Sequence, residues 1–381
     1  TNKLYKIYDA LNRFNSLEWN NRFISARIFK DGTKFTFDYD NKGRCTAALG
    51  PKGLFSYHFV YFDGYTVVEN SLGHKTTYHH EYGVVTKEIN PLGGEKTWLY
   101  DEHYNLIKEK NEIGVTTTCE YDEWGRLNSI NYGGETSAYE YNEIDCITKQ
   151  TLPNGAPFYY EYDTEGNLLE VIDPIDGKIS YTYEDGLPKT IKNTKEGYTY
   201  LSFDKQYNLN HVQLPLGLEI NYQFDALGRC LNITDSNGNT QKKSFDIVNN
   251  LIKVEKPDGN IQTLEYDILD NINHFSDKLY NISLQNNFFG DILRKTQKGK
   301  STYFKYDTEG QLSSIRNPQA EIYKFERDAN GHIVKEIGFD GLEKQYIRNN
   351  AGQITKVSKP NNKPIYYLHD KLGRVGRVQH D

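Results

Sequence analysis

The chain has 381 residues, of which 37% are hydrophobic and 25% charged, and its formal net charge is −7. The hydrophobic share is below that of an average globular protein, and Tyr, with 31 copies beside 18 Phe, supplies much of the apolar surface. The sequence contains no basic stripe that would follow a phosphate backbone and no apolar run of ~18 residues, which argues against nucleic-acid binding and against a membrane span.

Residues 1–38 form an irregular first segment. A first copy of a short aromatic-Asp phrase stands at Tyr8-Asp9, and an insertion of ~10 residues around Trp19 and Phe23 follows it. A hydrolase carried by residues 12–37 is one hypothesis for this interruption. That stretch has one Glu, no His and no Cys, so an acid–base pair is hard to assemble there.

From Tyr39 to Asp381, the aromatic-Asp phrase recurs with a step of ~21 residues. It consists of the aromatic residue, Asp, two further residues, Gly or Asn, a polar residue and an aliphatic residue, as in Tyr121 to Leu127. Because Asp recurs in nearly every copy, we expect it to cap a turn by accepting backbone N–H groups rather than to act in catalysis. The structural anchors that we assign from the clear copies are Tyr39, Asp40, Tyr100, Asp101, Tyr121, Asp122, Gly125, Tyr162, Asp163, Gly166, Phe224, Asp225, Gly228, Tyr266, Asp267, Tyr306, Asp307 and Gly310.

Several later copies lack the aromatic residue. Asn286, Arg327, Arg348 and His369 stand in its place. We therefore expect these copies to be degenerate.

Each repeat also carries a second turn signal, usually Pro-x-Gly, ~11–14 residues after the aromatic. Pro91-Leu92-Gly93 is an example. Between the two signals, apolar and polar residues alternate with the period of a strand. Roughly eighteen repeats of two strands predict ~36 strands in one long antiparallel meander of β-hairpins, an all-β fold. We also expect aromatic pairs such as Tyr160 and Tyr162 to share one face and to stack along the sheet.

An open sheet of this length would expose its faces and edges to aggregation. Open twisted sheets rarely exceed ~10 strands, so the ribbon must coil or fold onto itself. The modest apolar content argues against a packed β-sandwich. It favours a meander that spirals into a hollow shell.

The phrase at Tyr121 to Leu127, the Pro-x-Gly turn and the repeat step resemble the YD repeats of Rhs (rearrangement hotspot) proteins. Similar repeats occur in the B and C components of insecticidal toxin complexes, in wall-associated bacterial proteins and in teneurins. The resemblance implies a β-shell, called a cage or cocoon, that encloses a C-terminal toxin domain. In many Gram-negative members, it further implies an effector of the type VI secretion system, used in interbacterial competition with a spike protein and a chaperone as partners.

The resemblance assigns residues 39–381 to the wall of a larger shell and implies that the chain is not an enzyme. The family's self-cleavage motif resembles Asp-Pro-x-Gly-Leu. The nearest match, at Asp173 to Lys178, has an extra residue before Gly and Lys in place of Leu, so we interpret it as an ordinary turn. Toxin activity and cleavage are therefore expected outside this chain.

The implied location is that of an effector made in the cytoplasm and then secreted or injected. The alternative is a cell-surface YD-repeat adhesin or carbohydrate-binding protein, because Tyr-rich strands suit stacking against sugars.

No catalytic, cofactor or metal site is predicted. His79-His80-Glu81 resembles a metal cluster, but neighbours on a strand point to opposite faces. The four cysteines lack C-x-x-C spacing and are expected to act as small apolar residues: Cys45, Cys119, Cys146 and Cys230.

Overall fold

The computed structural model describes residues 3–175, 177–195 and 197–380, so Asp176 of the Asp173–Lys178 turn lies outside the described residues. Over these ranges, the chain forms 37 strands and two single 3₁₀ turns, Pro51–Gly53 and Pro215–Gly217. The strands are β1 (Lys6–Tyr8), β2 (Phe14–Asn20), β3 (Phe23–Ile28), β4 (Lys34–Tyr39), β5 (Cys45–Leu49), β6 (Tyr57–Tyr61), β7 (Tyr65–Glu69), β8 (Lys75–Glu81), β9 (Val84–Ile89), β10 (Glu95–Tyr100), β11 (Leu106–Lys110), β12 (Thr116–Tyr121), β13 (Leu127–Tyr132), β14 (Glu135–Tyr141), β15 (Ile147–Thr151), β16 (Pro157–Tyr162), β17 (Leu168–Ile172), β18 (Lys178–Glu184), β19 (Leu187–Asn193), β20 (Gly197–Phe203), β21 (Leu209–Gln213), β22 (Glu219–Phe224), β23 (Cys230–Asp235), β24 (Thr240–Phe245), β25 (Leu251–Glu255), β26 (Ile261–Tyr266), β27 (Ile272–Ser276), β28 (Asn281–Asn286), β29 (Ile292–Gln297), β30 (Lys300–Tyr306), β31 (Leu312–Arg316), β32 (Ile322–Arg327), β33 (Ile333–Ile337), β34 (Glu343–Arg348), β35 (Ile354–Ser358), β36 (Ile365–His369) and β37 (Val375–His380).

Strands pair antiparallel with their neighbours in sequence. Strand β13, for example, pairs with β12 on one side and with β14 on the other. The prediction of an all-β meander of hairpins is therefore confirmed. Strands β1 to β4 continue the same pattern through residues 6–39, and a domain boundary at residue 38 stays a prediction.

The register shifts just before the anchor aromatic in one repeat after another. Glu120 lies opposite Ser129, whereas Tyr121 lies opposite Leu127, so Asn128 is passed over. The same shift precedes Tyr162, Phe224 and Tyr306. A β-bulge of this kind bends the strand and increases its local twist. The alternation of side chains in the sequence does not reveal it.

Contacts within the chain define two compact units. The first consists of residues 1–116 and 264–381, and the second of residues 117–263. In the first unit, stretches far apart in sequence touch. The Phe29 and Phe288 rings lie 4.3 Å apart, and the Phe55 N–H donates to the Thr308 carbonyl at 2.8 Å. The second unit is a run of consecutive hairpins.

Few side chains are fully buried. In the described chain, the buried apolar residues are Ala26, Ala47, Val212, Val254, Val357 and Leu372. Most other apolar and aromatic side chains are half-buried or exposed. Stability therefore depends on contacts repeated from hairpin to hairpin, as in other repeat arrays.

Candidate functional site

The repeated turn is built around the Asp that follows the anchor aromatic. After β12, Asp122 Oδ1 accepts the N–H groups of Trp124 (3.0 Å) and Arg126 (2.9 Å). The Gly125 N–H donates to the Asp122 carbonyl at 3.0 Å, and Gly125 has φ +80°. A turn closed by a residue at positive φ is a favoured hairpin loop, and glycine enters that region without the penalty of a Cβ. Asp122 thus caps the turn, as expected from the sequence.

The other assigned anchors occupy equivalent places. Each anchor aromatic is the last residue of its strand, namely Tyr39, Tyr100, Tyr121, Tyr162, Phe224, Tyr266 and Tyr306. Each following Asp accepts two backbone N–H groups, namely Asp40, Asp101, Asp163, Asp225, Asp267 and Asp307. The glycines Gly166, Gly228 and Gly310 all have positive φ. These residues share a geometry, but each set belongs to a separate turn.

The second turn of a repeat often uses the same design. Asn90, which precedes the Pro91-Leu92-Gly93 signal, accepts the N–H groups of Leu92 and Gly94 through Oδ1. Asn70, Asn111 and Asn317 cap their turns in the same way. An Asn or Asp just before the second turn therefore also predicts a capped turn, and the Pro-x-Gly pattern drew attention away from it.

The surroundings of Asp122 and Asp163 favour the charged form of these two capping carboxylates. Partial burial raises the pKa of Asp122, but the Arg126 N–H and guanidinium and the Trp124 N–H outweigh it and lower the pKa overall. The side-chain amide of Asn167 is the main cause of the lowered pKa of Asp163. A general acid or base needs a pKa near the working pH. These carboxylates are suited to a structural role instead.

The Arg of the phrase connects one repeat to the next. Arg126 Nε donates to Asp122 Oδ2 at 2.8 Å, and the guanidinium lies 4.7 Å from the ring centroid of Tyr141, the next anchor. Its Nη1 also donates to the Asn142 carbonyl at 3.1 Å. The equivalent contacts of Arg229 are with Asp225, Phe245 and Asp246. One side chain thus binds two successive turns.

The anchor hydroxyl reaches back to the preceding repeat. Tyr141 Oη donates to the carbonyl of Leu127 at 2.8 Å, at the bulge. Tyr39, Tyr183 and Tyr306 make the equivalent bond with Ile24, Leu168 and Ile292. Tyr222 and Phe224, a pair of the predicted kind, have ring centroids 6.5 Å apart and planes tilted by 31°. A continuous stack of anchor rings from repeat to repeat stays a prediction.

Three of the copies without an aromatic anchor keep this bond. Arg327 Nη2 donates to the Leu312 carbonyl at 3.2 Å, and Arg348 Nη2 donates to the Ile333 carbonyl at 3.1 Å. Asn286 does the same through its amide. These three copies depart from the phrase in sequence but retain the hydrogen bond of the Tyr anchors. A donor at the end of the side chain, rather than a ring, is what they share with Tyr.

Ion pairs fasten two distant stretches within the first unit. Asp270 accepts from Arg13 Nη2 at 2.8 Å and from Lys30 Nζ at 2.6 Å. Both cations also lie within 3.0 Å of Asp9 Oδ2. The four side chains are only 17–27% exposed. We call this four-residue cluster the clasp.

The remaining sequence candidates lie apart from these contacts. His80 Nε2 is 3.5 Å from Thr66 Oγ1, and the His79 ring lies 5.5 Å from the Tyr65 ring. No group of three or more His, Cys, Asp or Glu side chains is arranged to hold a metal ion in the described ranges. Within these ranges, none of the four cysteines forms a disulfide bond. Within the same ranges, we find no helix of the length and apolar character needed to cross a membrane.

The chain is similar to several known proteins. The model of the Teneurin YD-shell family matches residues 95–229. Double-stranded DNA deaminase toxin A of Burkholderia cenocepacia (strain H111) is 29% identical over 94 residues, which is 24% of this chain and 7% of the toxin.

Solved structures resemble almost the whole chain. The TcdB2-TccC3-Cdc42 structure matches 99% of it with a TM-score of 0.65 and 14% identity. The Photorhabdus luminescens Tc holotoxin pore matches 97% with a TM-score of 0.63 and 14% identity. The chain spans only 23% of each of those two chains. Identity this low shows a shared fold alone. The family match over residues 95–229 is what confirms the resemblance to the YD-repeat shell family.

Proposed function

We propose that this chain is a non-enzymatic part of the wall of an Rhs-type toxin shell, which encloses a C-terminal toxin domain. The fold likeness to Tc toxin structures over 97–99% of the chain carries the proposal. The match to a bacterial deaminase toxin adds support. The partners in this proposal are the remainder of the shell and the enclosed toxin.

The contacts of the repeats suit a wall. Capped turns, the Arg126 connection and the Tyr141 hydroxyl hold each hairpin to the next without a packed core. The clasp joins stretches that are far apart in sequence within the first unit, as a coiling ribbon requires. Arg13 and Asp270, for example, are separated by 257 positions. Such a sheet tolerates polar residues on both faces, which agrees with the low apolar content.

The route of delivery belongs to the same proposal. The protein is made in the cytoplasm and leaves it as a secreted or injected effector, through the type VI secretion system and against competing bacteria. A spike protein and a chaperone assist this delivery. The support for these points is the family resemblance.

Protection from proteolysis tests enclosure. The natural reading frame is expressed together with the domain that follows this chain, and the rate of trypsin cleavage of that domain is compared with the rate for the isolated domain. Enclosure predicts cleavage at least about tenfold slower, because the protease must wait for the shell to open. Equal rates would remove the proposal.

A cell-surface, carbohydrate-binding role is the second candidate. Tyr198 and Tyr200 on β20 have rings 5.9 Å apart and nearly parallel, and each residue is 45% exposed. Adjacent exposed rings offer a flat surface on which a sugar ring can stack. A glycan array with the parent chain and with Tyr198→Ala tests this candidate. Binding that the variant loses favours it, and the absence of any bound glycan argues against it.

A further inference from the structure

A polar cleft of about 520 Å³ lies within the first compact unit. One wall comes from turns and strand ends between residues 70 and 112, and the other from residues 307–332. Its volume falls in the range of small-molecule sites, roughly 300–1,000 Å³. Two anchor turns, residues 307–311 and 328–332, contribute to this second wall, whereas the clasp residues do not line the cleft.

One wall carries a concentration of buried polar atoms without partners. They are Gln311 Oε1, Arg327 Nε, Asn330 Oδ1 and His332 Nδ1, and all four residues line the cleft. Only one further side-chain atom of this kind, Asn210 Oδ1, occurs in the rest of the described chain. His332 Nδ1 is 3.4 Å from Asp328 Oδ2, which is longer than a normal N–H···O hydrogen bond. Buried polar atoms are normally paired, so a cluster of unpaired ones requires an explanation.

The cluster arises because this wall departs from the usual phrase. Gln311 and His332 stand where other repeats have the connecting Arg, and the guanidinium has moved to the anchor position at Arg327. Arg327 Nη1 donates to the Gly331 carbonyl and Nη2 donates to the Leu312 carbonyl, and neither hydrogen bond involves Nε. The fold therefore holds these side chains in place while leaving part of their hydrogen-bonding capacity unused.

The unpaired atoms specify the chemistry of a ligand. Two are amide oxygens that accept, one is a guanidinium N–H that donates, and the imidazole nitrogen can do either. A bare cation would satisfy only the acceptor atoms and an anion only the donor atoms, whereas a hydroxyl group both donates and accepts. Glu88 and Glu112 on the opposite wall disfavour anions, and Phe325 supplies an apolar surface.

We propose that the cleft binds a neutral polyhydroxylated ligand, of the size of a mono- or disaccharide. Gln311 and Asn330 accept from its hydroxyl groups, and Arg327 donates to one. This site belongs to one compact unit of this chain, so it does not depend on whether the chain encloses a toxin domain.

Ligand-observed NMR with the whole chain tests the proposal. The probes are glucose, galactose, N-acetylglucosamine, sucrose and maltose, with inorganic phosphate and Ca²⁺ as charged comparisons. We expect at least one sugar to bind. We also expect its affinity to fall about tenfold or more in Gln311→Leu and in Asn330→Ala, because each removes an acceptor.

Asn210→Ala is the matched control, since it removes the same kind of unpaired atom outside the cleft. It should leave sugar binding unchanged. Gln311→Leu should bind less while unfolding at the same or a higher temperature, which a purely structural role for Gln311 does not predict. The proposal is overturned if none of these sugars binds, if phosphate or Ca²⁺ binds instead, or if both cleft variants bind sugar as the parent does.

Discussion

Neutralising Asp270 should loosen the attachment between the distant stretches of the first unit. Asp270→Asn keeps the shape of the side chain, and Asn adopts the positive φ of this position (+67°) as readily as Asp does. The change removes the charge that receives Arg13 at 2.8 Å and Lys30 at 2.6 Å. Both cations then share Asp9 alone within the clasp.

The burial of the clasp determines how much free energy we expect Asp270→Asn to cost. Exposed ion pairs contribute ~0.2–1 kcal/mol, and removal of one partner of a fully buried pair costs ~3–5 kcal/mol. Arg13 and Asp270 are 17% and 27% exposed, which places them between these limits. Because Asn retains one acceptor oxygen, we expect a loss of about 1.5–2.5 kcal/mol in the free energy of local opening. That loss raises the opening equilibrium roughly 10- to 70-fold.

Amide hydrogen exchange measures this opening directly. Exchange should accelerate across residues 9–33, and urea titration, which adds no salt, should give a lower midpoint. Asp145→Asn is the matched control, since Asp145 also has positive φ (+62°) and accepts from an Arg at 2.7 Å. Its side chain is 75% exposed, so we expect a loss of only ~0.2–1 kcal/mol there. Equal effects of the two substitutions, or unchanged exchange in residues 9–33, would refute the reasoning.

Three further changes test the repeat itself by urea titration. The pKa of Asp122 is lowered in the folded chain, so its stabilising contribution is complete above its ordinary value of 3.8 and is lost as pH falls through the folded value. The midpoint should therefore drop below pH ~4, and less steeply in Asp122→Asn. Tyr141→Phe removes the bond to the Leu127 carbonyl and should cost ~0.5–1.5 kcal/mol. Ala320→Gly should stabilise the chain by ~0.5–1 kcal/mol because residue 320 has φ +67°, whereas Ala138→Gly, within β14, should destabilise it by a similar amount.

Each of these three predictions would be contradicted by a specific result. An acid transition as steep in Asp122→Asn as in the parent would show that this carboxylate is not linked to folding. An unchanged midpoint in Tyr141→Phe would show that the hydroxyl bond has no net effect. A loss of stability in both glycine variants would show that positive φ carries no strain at residue 320.

Much of the local structure could be predicted from the sequence. The phrase from Tyr121 to Leu127 predicted a strand end, a turn capped by Asp122 and the start of the next strand, and all three are present. These features depend on residues at most a few positions apart, and their φ preferences and hydrogen bonds are carried by the residue types themselves. Repetition of the phrase then predicted the number of strands closely.

The contacts between repeats could not be predicted in this way. Arg327 looked like a worn anchor because a ring was taken as the essential feature. In the structure, the Arg327 guanidinium donates to the Leu312 carbonyl, as the hydroxyl of a Tyr anchor does in other repeats. Whether such a carbonyl is available depends on the bulge, which alters the pairing of two strands without changing the alternation of side chains.

The sequence by itself determined the all-β class, the hairpin repeat and the capping role of its aspartates, because short-range interactions are sufficient for these. Only the tertiary structure decided the register shift, the connection from Arg126 to Tyr141, the clasp around Asp270 and the polar cleft beside Arg327. The first two depend on how neighbouring strands pair, whereas the clasp and the cleft depend on the accumulated twist of many strands, which brings residues hundreds of positions apart into contact in the first unit. A periodic sequence predicts that such contacts are needed, but its pattern is the same at every repeat and does not identify which repeats meet.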